Sequence, residues 1–142
     1  MVKRYQLSER VKFLGQVQDI EQVLCDHHML VLPSRSEGMP LALIEAFLCY
    51  RPAIGTAIPG IPELIQEGKT GFLAKFPTVQ AVDEALDCAW HERHRWQEMG
   101  LTAGRWIRTV IPRDLCETFA RELLEIAEGK ESLLPLISAN RG

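Results

Sequence analysis

Cysteine is scarce here and never clustered. Cys25, Cys49, Cys88 and Cys116 are the only four, and none lies within four residues of another. That excludes a local C-x-x-C metal or redox pair. The expected state is reduced thiols, three of them buried among apolar residues, as in a cytoplasmic protein. A surplus of positive charge is missing too: 16 Lys and Arg against 19 Asp and Glu leave a formal charge of -3. General attraction for nucleic acid or an anionic membrane is therefore not indicated. No apolar run approaches the roughly 18 residues that span a bilayer. The richest, Met39–Tyr50, carries Glu45. The start has no charged-then-apolar leader, and no internal repeat or low-complexity tract is visible. What is present is ordinary: 142 residues, 46% hydrophobic and 25% charged, the profile of one soluble domain with a real core.

Along the chain, short apolar runs alternate with helical patterns. Residues 1–10 are a polar start, 11–129 the expected domain, and 130–142 an expected mobile tail. Val11–Leu14, ending at Gly15, reads as a strand; Ile20–His27 as a short helix; Met29–Leu32, ending at Pro33, as a buried strand. Leu41–Tyr50 is helical and Pro52 helps stop it; Ala53–Thr56 and Gly71–Ala74 read as further strands. Thr78–His91 has Val79, Val82, Leu86, Ala89 and Trp90 at helical spacing, with Thr78 as N-cap. Asp114–Glu128 carries a second stripe of Leu115, Phe119, Leu123 and Ile126, capped by Asp114 and stopped by Gly129. Between them Trp96–Val110 is helical but less regular. The alternation predicts an α/β fold: a Rossmann-like parallel sheet with helices on both faces. Ligands of such sheets bind beyond the carboxyl ends of the strands.

The informative stretch is PSRSEGMPLALIEAF, Pro33 to Phe47. It follows a strand and opens a helix. Gly38 permits close approach of a ligand to the backbone, and Pro40 suits the first helical turn, where a missing N–H costs nothing. The free N–H groups around Met39, Leu41 and Ala42 sit at the positive end of the helix dipole, which suits a phosphate. Glu45 stands in a helix that is apolar nearly all round, so its carboxylate needs a partner. A sugar diol is one; an ion pair with Arg35 or Arg51 is the other. Glu37 reads either as a solvated loop residue or, with Glu45, as a Glu-x7-Glu pair facing one cleft. The adjacent His27 and His28, and His91 with His94, read as surface histidines, and no metal is expected. Trp90, Trp96 and Trp106 read as core or interface residues.

Three ordered segments carry a family resemblance: VKFLGQV (Val11–Val17), HMLVLPSRSEGMPLALIEAF (His28–Phe47) and RPAIGTAIPGIPELIQEGKTGFL (Arg51–Leu73). Over about residues 11 to 128 the sequence resembles the glycogen-synthase-like retaining glycosyltransferases of family 4 (group 1). The resemblance implies the donor-binding, C-terminal half of a two-domain GT-B enzyme. Such an enzyme transfers a sugar from a nucleotide-diphosphate sugar to an acceptor hydroxyl with retention and needs no cofactor. It would place the ribose hydroxyls on Glu45 and the donor sugar on Glu37, as a positioning and electrostatic residue in catalysis. Gly38, Met39, Pro40 and Leu41 would hold sugar and diphosphate, and Gly15 would lie near the nucleotide. Two departures matter. Pro59 stands at the first glycine of the usual Gly-Gly turn and removes an N–H. The family's Arg and Lys that hold the diphosphate are not matched by Lys3 and Arg4. The implied partner is therefore a separate N-terminal acceptor domain, or self-association, with a cytoplasmic location that becomes peripheral at the membrane through that other domain. The rival reading is a non-catalytic nucleotide-binding or protein-docking module; an epimerase of similar architecture fits less well, since no full set of residues for proton abstraction is present.

Overall fold

The computed structural model describes residues 2–111 and 114–129; the 130–142 segment lies outside them. The elements in order are α1 (Ile20–Cys25), β1 (Leu30–Leu32), α2 (Leu41–Leu48), β2 (Ala53–Thr56), β3 (Gly71–Ala74), α3 (Val79–His91), a 3-10 turn (Arg93–Arg95), α4 (Trp96–Val110) and α5 (Leu115–Ala127). The three strands form one parallel sheet in the order β1-β2-β3. Leu30 is opposite Ala53, and Ala53 is opposite Gly71.

Every residue of the central strand β2 is buried, because successive side chains point to opposite faces and both faces are covered. Ala53 packs with Leu43 and Phe47 of α2, Ile61 and Leu64 of the following turn, and Ala103 and Ile107 of α4. Ile54 packs on the other side with Phe72 of β3, with Ala81, Ala85 and Ala89 of α3, and with Met99 of α4. This is the expected α/β sheet covered on both faces. Caps at two helix starts also agree with the sequence. Thr78 Oγ1 accepts the Ala81 N–H at 3.2 Å, and Asp114 Oδ1 accepts the Glu117 N–H at 2.9 Å. Gly129, with φ +75, ends α5. Thr78→Ala should cost about 1 kcal/mol and lower the melting temperature by about 3–5 °C. Thr78→Ser should retain most of it; if both variants melt like the parent, the cap contributes nothing.

Several expectations are corrected. Val11–Leu14 is not a strand: it has no regular secondary structure, with Phe13 83% exposed, and no strand among the described residues pairs with it. The buried face of α3 is Ala81, Ala85 and Ala89, while Val79, Leu86 and Trp90 are exposed. Small side chains let the helix sit close to the sheet, and hydropathy underrates them. Trp90 is accordingly not a core residue; the Arg93 guanidinium lies 4.9 Å from its ring centroid. The α5 residues Phe119, Leu123 and Ile126 are likewise exposed. α4 is a regular helix of 15 residues whose buried face is Met99, Gly100, Ala103, Gly104 and Ile107. Its two glycines hid the stripe, and Gly100 is there because a Cβ would overlap the Tyr50 carbonyl. The α2 helix is not apolar-buried all round: Leu43, Ala46 and Phe47 face the core, while Leu41 and Leu48 are exposed. Pro40 is its N-cap rather than its first helical residue. Residues 61–65 form a turn closed by Leu64 and Ile65 N–H groups on the Ile61 carbonyl at 3.0 Å. Cys25 and Cys88 are exposed and Cys49 half-buried, so the expected burial fails. No helix among the described residues is long and apolar enough to cross a membrane.

Candidate functional site

The site grows from the carboxyl ends of β1 and β2. After Leu32 the chain turns through residues 33–40 and enters α2. Thr56, the last residue of β2, is fully buried. A hydroxyl there needs an acceptor, and it donates to the Ser34 carbonyl of the loop. Ser34 Oγ in turn donates to Glu37 Oε1 at 2.6 Å. A buried strand end thus fixes the loop, and the loop fixes one oxygen of the half-buried Glu37 carboxylate. The second oxygen makes no hydrogen bond among the described residues.

Beyond Glu37 the backbone opens. A side chain at Gly38 would meet nothing within 4 Å, so space above the loop is free. Met39 and Leu41 are 66% and 63% exposed, while Pro40 is buried. The Pro40 carbonyl starts the helix by accepting from Leu43 N at 2.9 Å and Ile44 N at 3.3 Å. The Leu41 and Ala42 N–H groups find no acceptor among the described residues. They remain as outward donors at the positive end of the α2 dipole.

The turn after β2 lies against this loop. Gly60 has φ +93, and a Cβ on it would fall 2.5 Å from the Gly38 oxygen and 3.6 Å from Pro40 Cδ. The Gly60 N–H donates to Glu63 Oε2 at 3.0 Å, so that amide is occupied, while Pro59 beside it has none to offer.

Glu45 sits half-buried on α2, one turn beyond the free amides. Of its two candidate partners, the arginine ion pair is not made among the described residues. Arg51 donates through Nε to the Leu24 carbonyl at 3.0 Å and through Nη2 to the Cys25 carbonyl at 2.6 Å. Arg35 is exposed. The ion pairs among the described residues join Arg95 to Glu92 at 3.0 Å and to Glu98 at 3.7 Å. The Glu45 carboxylate therefore has no protein partner among the described residues, and it is half-exposed to solvent instead.

Glu37, Gly38, Met39, Pro40, Leu41 and Glu45 thus belong to one loop-and-helix unit. Gly15 is exposed and has φ +64 with open space around it, and no described hydrogen bond ties residues 12–18 to the unit. Sequence reasoning missed Ser34, Thr56, Gly60 and Glu63. A hydroxyl ending the apolar run AIGT was the one signal that could have pointed to Thr56.

Residues 1–91 match the family profile described as "Glycosyl transferases group 1". The chain belongs to that family of glycosyltransferases. Among curated relatives it is 38% identical, over 61% of its length, to the N-acetyl-alpha-D-glucosaminyl L-malate synthase of Bacillus anthracis. It is 32% identical, over 64% of its length, to a sulfoquinovosyl transferase of Arabidopsis thaliana. It spans only 23% and 19% of those two proteins. Solved structures agree in fold. Anabaena HepE in complex with UDP superposes over 90% of this chain and 35% of its own, with a TM-score of 0.75 at 23% identity. The sucrose-phosphate synthase of Thermosynechococcus elongatus covers 90% and 32%, with a TM-score of 0.74 at 23% identity. The expected GT-B-type α/β architecture is therefore the observed one.

Proposed function

We propose that this chain supplies the nucleotide-diphosphate-sugar site of a retaining glycosyltransferase, acting together with an acceptor-binding half. The observation that carries the reading is the Glu45 carboxylate, half-buried and without a partner among the described residues, beside the Leu41 and Ala42 amides that find no acceptor there at the start of α2. A carboxylate accepts two hydrogen bonds from a ribose diol, and the helix start takes the diphosphate. Glu37, oriented by Ser34, then faces the sugar. Met39 and Leu41 flank the diphosphate, and Gly38 leaves room for the sugar. In the transfer the bond from the anomeric carbon to the diphosphate breaks with its electron pair leaving on the phosphate. The acceptor oxygen bonds to the same face of that carbon, and its proton passes to the departing diphosphate. The outward amides stabilise the charge developing there. The protein works in the cytoplasm, and reaches a membrane surface only through its other half.

Calorimetry with a panel of nucleoside diphosphates and their sugars tests this. Glu45→Ala should weaken binding about 10- to 100-fold, the worth of charge-assisted hydrogen bonds of about 1.5–3 kcal/mol, while leaving the melting temperature near that of the parent. A folded chain that takes no nucleotide at millimolar concentration would sink the proposal. It would favour the second reading, a docking module, which the 90% exposed Val79 and 65% exposed Phe76 support.

A further inference from the structure

Two of the free thiols belong to one place. Cys25 ends α1 and Cys49 caps the end of α2. The Arg51 side chain laces these ends together: it stands two residues after Cys49 and donates to the carbonyls of Leu24 and Cys25 at 3.0 and 2.6 Å. The two backbones are thus held within reach of a single arginine side chain. Within that clamp Cys25 lies close enough to Cys49 to disfavour its thiolate. Cys25 is exposed and Cys49 half-buried. The chain between them contains β1, Ser34, Glu37, the open amides and Glu45.

We infer that Cys25 and Cys49 form a dithiol site that a low-molecular-weight disulfide of the glutathione type oxidises to an intramolecular disulfide, closing a loop around the carboxylate segment. The exposed Cys25 meets the oxidant first. Its thiolate attacks one sulfur of the small disulfide, giving a mixed disulfide and releasing one small thiolate. The Cys49 thiolate then attacks Cys25 Sγ and releases the second. Two protein thiols are oxidised, one small disulfide is reduced to two thiols, and the two cysteine protons end on them. Burial, and then the neighbouring Cys25, push the Cys49 thiol above its ordinary value, and Arg51 opposes the rise. Cys49 is therefore the slower thiol toward bulk oxidant and acts as the resolving partner. The site does not depend on the glycosyltransfer reading.

The test uses the whole chain equilibrated in glutathione buffers of graded redox ratio, acid-quenched, alkylated and digested with trypsin. Cleavage after Arg35 separates the two cysteines, so only a disulfide keeps their peptides together. The linked peptide should dominate at a ratio at least about ten-fold more reducing than that at which exposed Cys88 takes up glutathione, because the second thiol acts at high effective concentration. Cys49→Ser should stop at glutathione on Cys25. Wild-type protein that carries glutathione on Cys25 with Cys49 still alkylated, to the same extent as Cys88, would overturn the assignment, as would equal linkage of Cys25 to Cys88.

Discussion

Phe47→Ala should lower the free energy of unfolding by about 3–5 kcal/mol, the range for emptying a buried aromatic site. Phe47 is 0% exposed and is the largest of the fully buried side chains. It packs where α2, β2, the turn after β2 and α4 converge, against Leu43, Ala53, Ile61 and Ile107. A domain of this size has only about 5–15 kcal/mol in total, so the variant should sit near its unfolding midpoint in mild urea. Phe13→Ala is the contrasting case, since Phe13 is 83% exposed and should change stability by no more than about 0.5 kcal/mol. Tryptophan fluorescence in a urea titration reads both. Equal losses from the two substitutions would mean that α2 does not organise the core.

The sheet was legible because its strands are short apolar runs bounded by breakers. Met29–Leu32 before Pro33, Ala53–Thr56 after Pro52, and Gly71–Ala74 match the observed strands to within a residue. The caps Thr78 and Asp114 were legible because a hydroxyl or carboxylate before an apolar stripe has few other uses. What hydropathy could not show was which face a helix buries when small residues make the contact. Ala81, Ala85 and Ala89 of α3 and Gly100 and Gly104 of α4 are buried by virtue of size. Val11–Leu14 had the composition of a strand, but pairing is a property of neighbours and not of the run itself. The order of Glu37, Gly38 and Glu45 was legible because strand, loop and helix are contiguous. The supports of the loop were not, since Thr56 reaches Ser34 from 22 residues away and Gly60 reaches Gly38 from the next turn. Glu45 was misjudged in degree: its helix has an open side at Leu41 and Leu48, which removes the need for an arginine.

Gly60→Ala should combine two penalties. The residue has φ +93, where a side chain is strained, and its Cβ would fall 2.5 Å from the Gly38 oxygen. The backbone term is about 1–2 kcal/mol and the overlap about 1–3 kcal/mol, giving an expected loss of about 2–5 kcal/mol. The overlap can be relieved only by moving the Gly38–Pro40 backbone or the Glu63-capped turn. A variant that still folds should therefore bind nucleotide diphosphates more weakly as well. Gly15→Ala separates the terms: φ is +64 there, with nothing within 4 Å of the new Cβ, so only the backbone cost applies. Gly38→Ala is the third arm, because that position has open space and no positive φ. It should leave stability nearly unchanged and reduce binding if the loop backbone carries the ligand. Urea midpoints and calorimetric affinities on the three variants give six numbers. A Gly60→Ala loss no larger than that of Gly15→Ala would show that the two turns yield freely to each other. The Gly38 loop would then not be held in place by its neighbour, and its geometry would rest on the Thr56–Ser34–Glu37 chain alone.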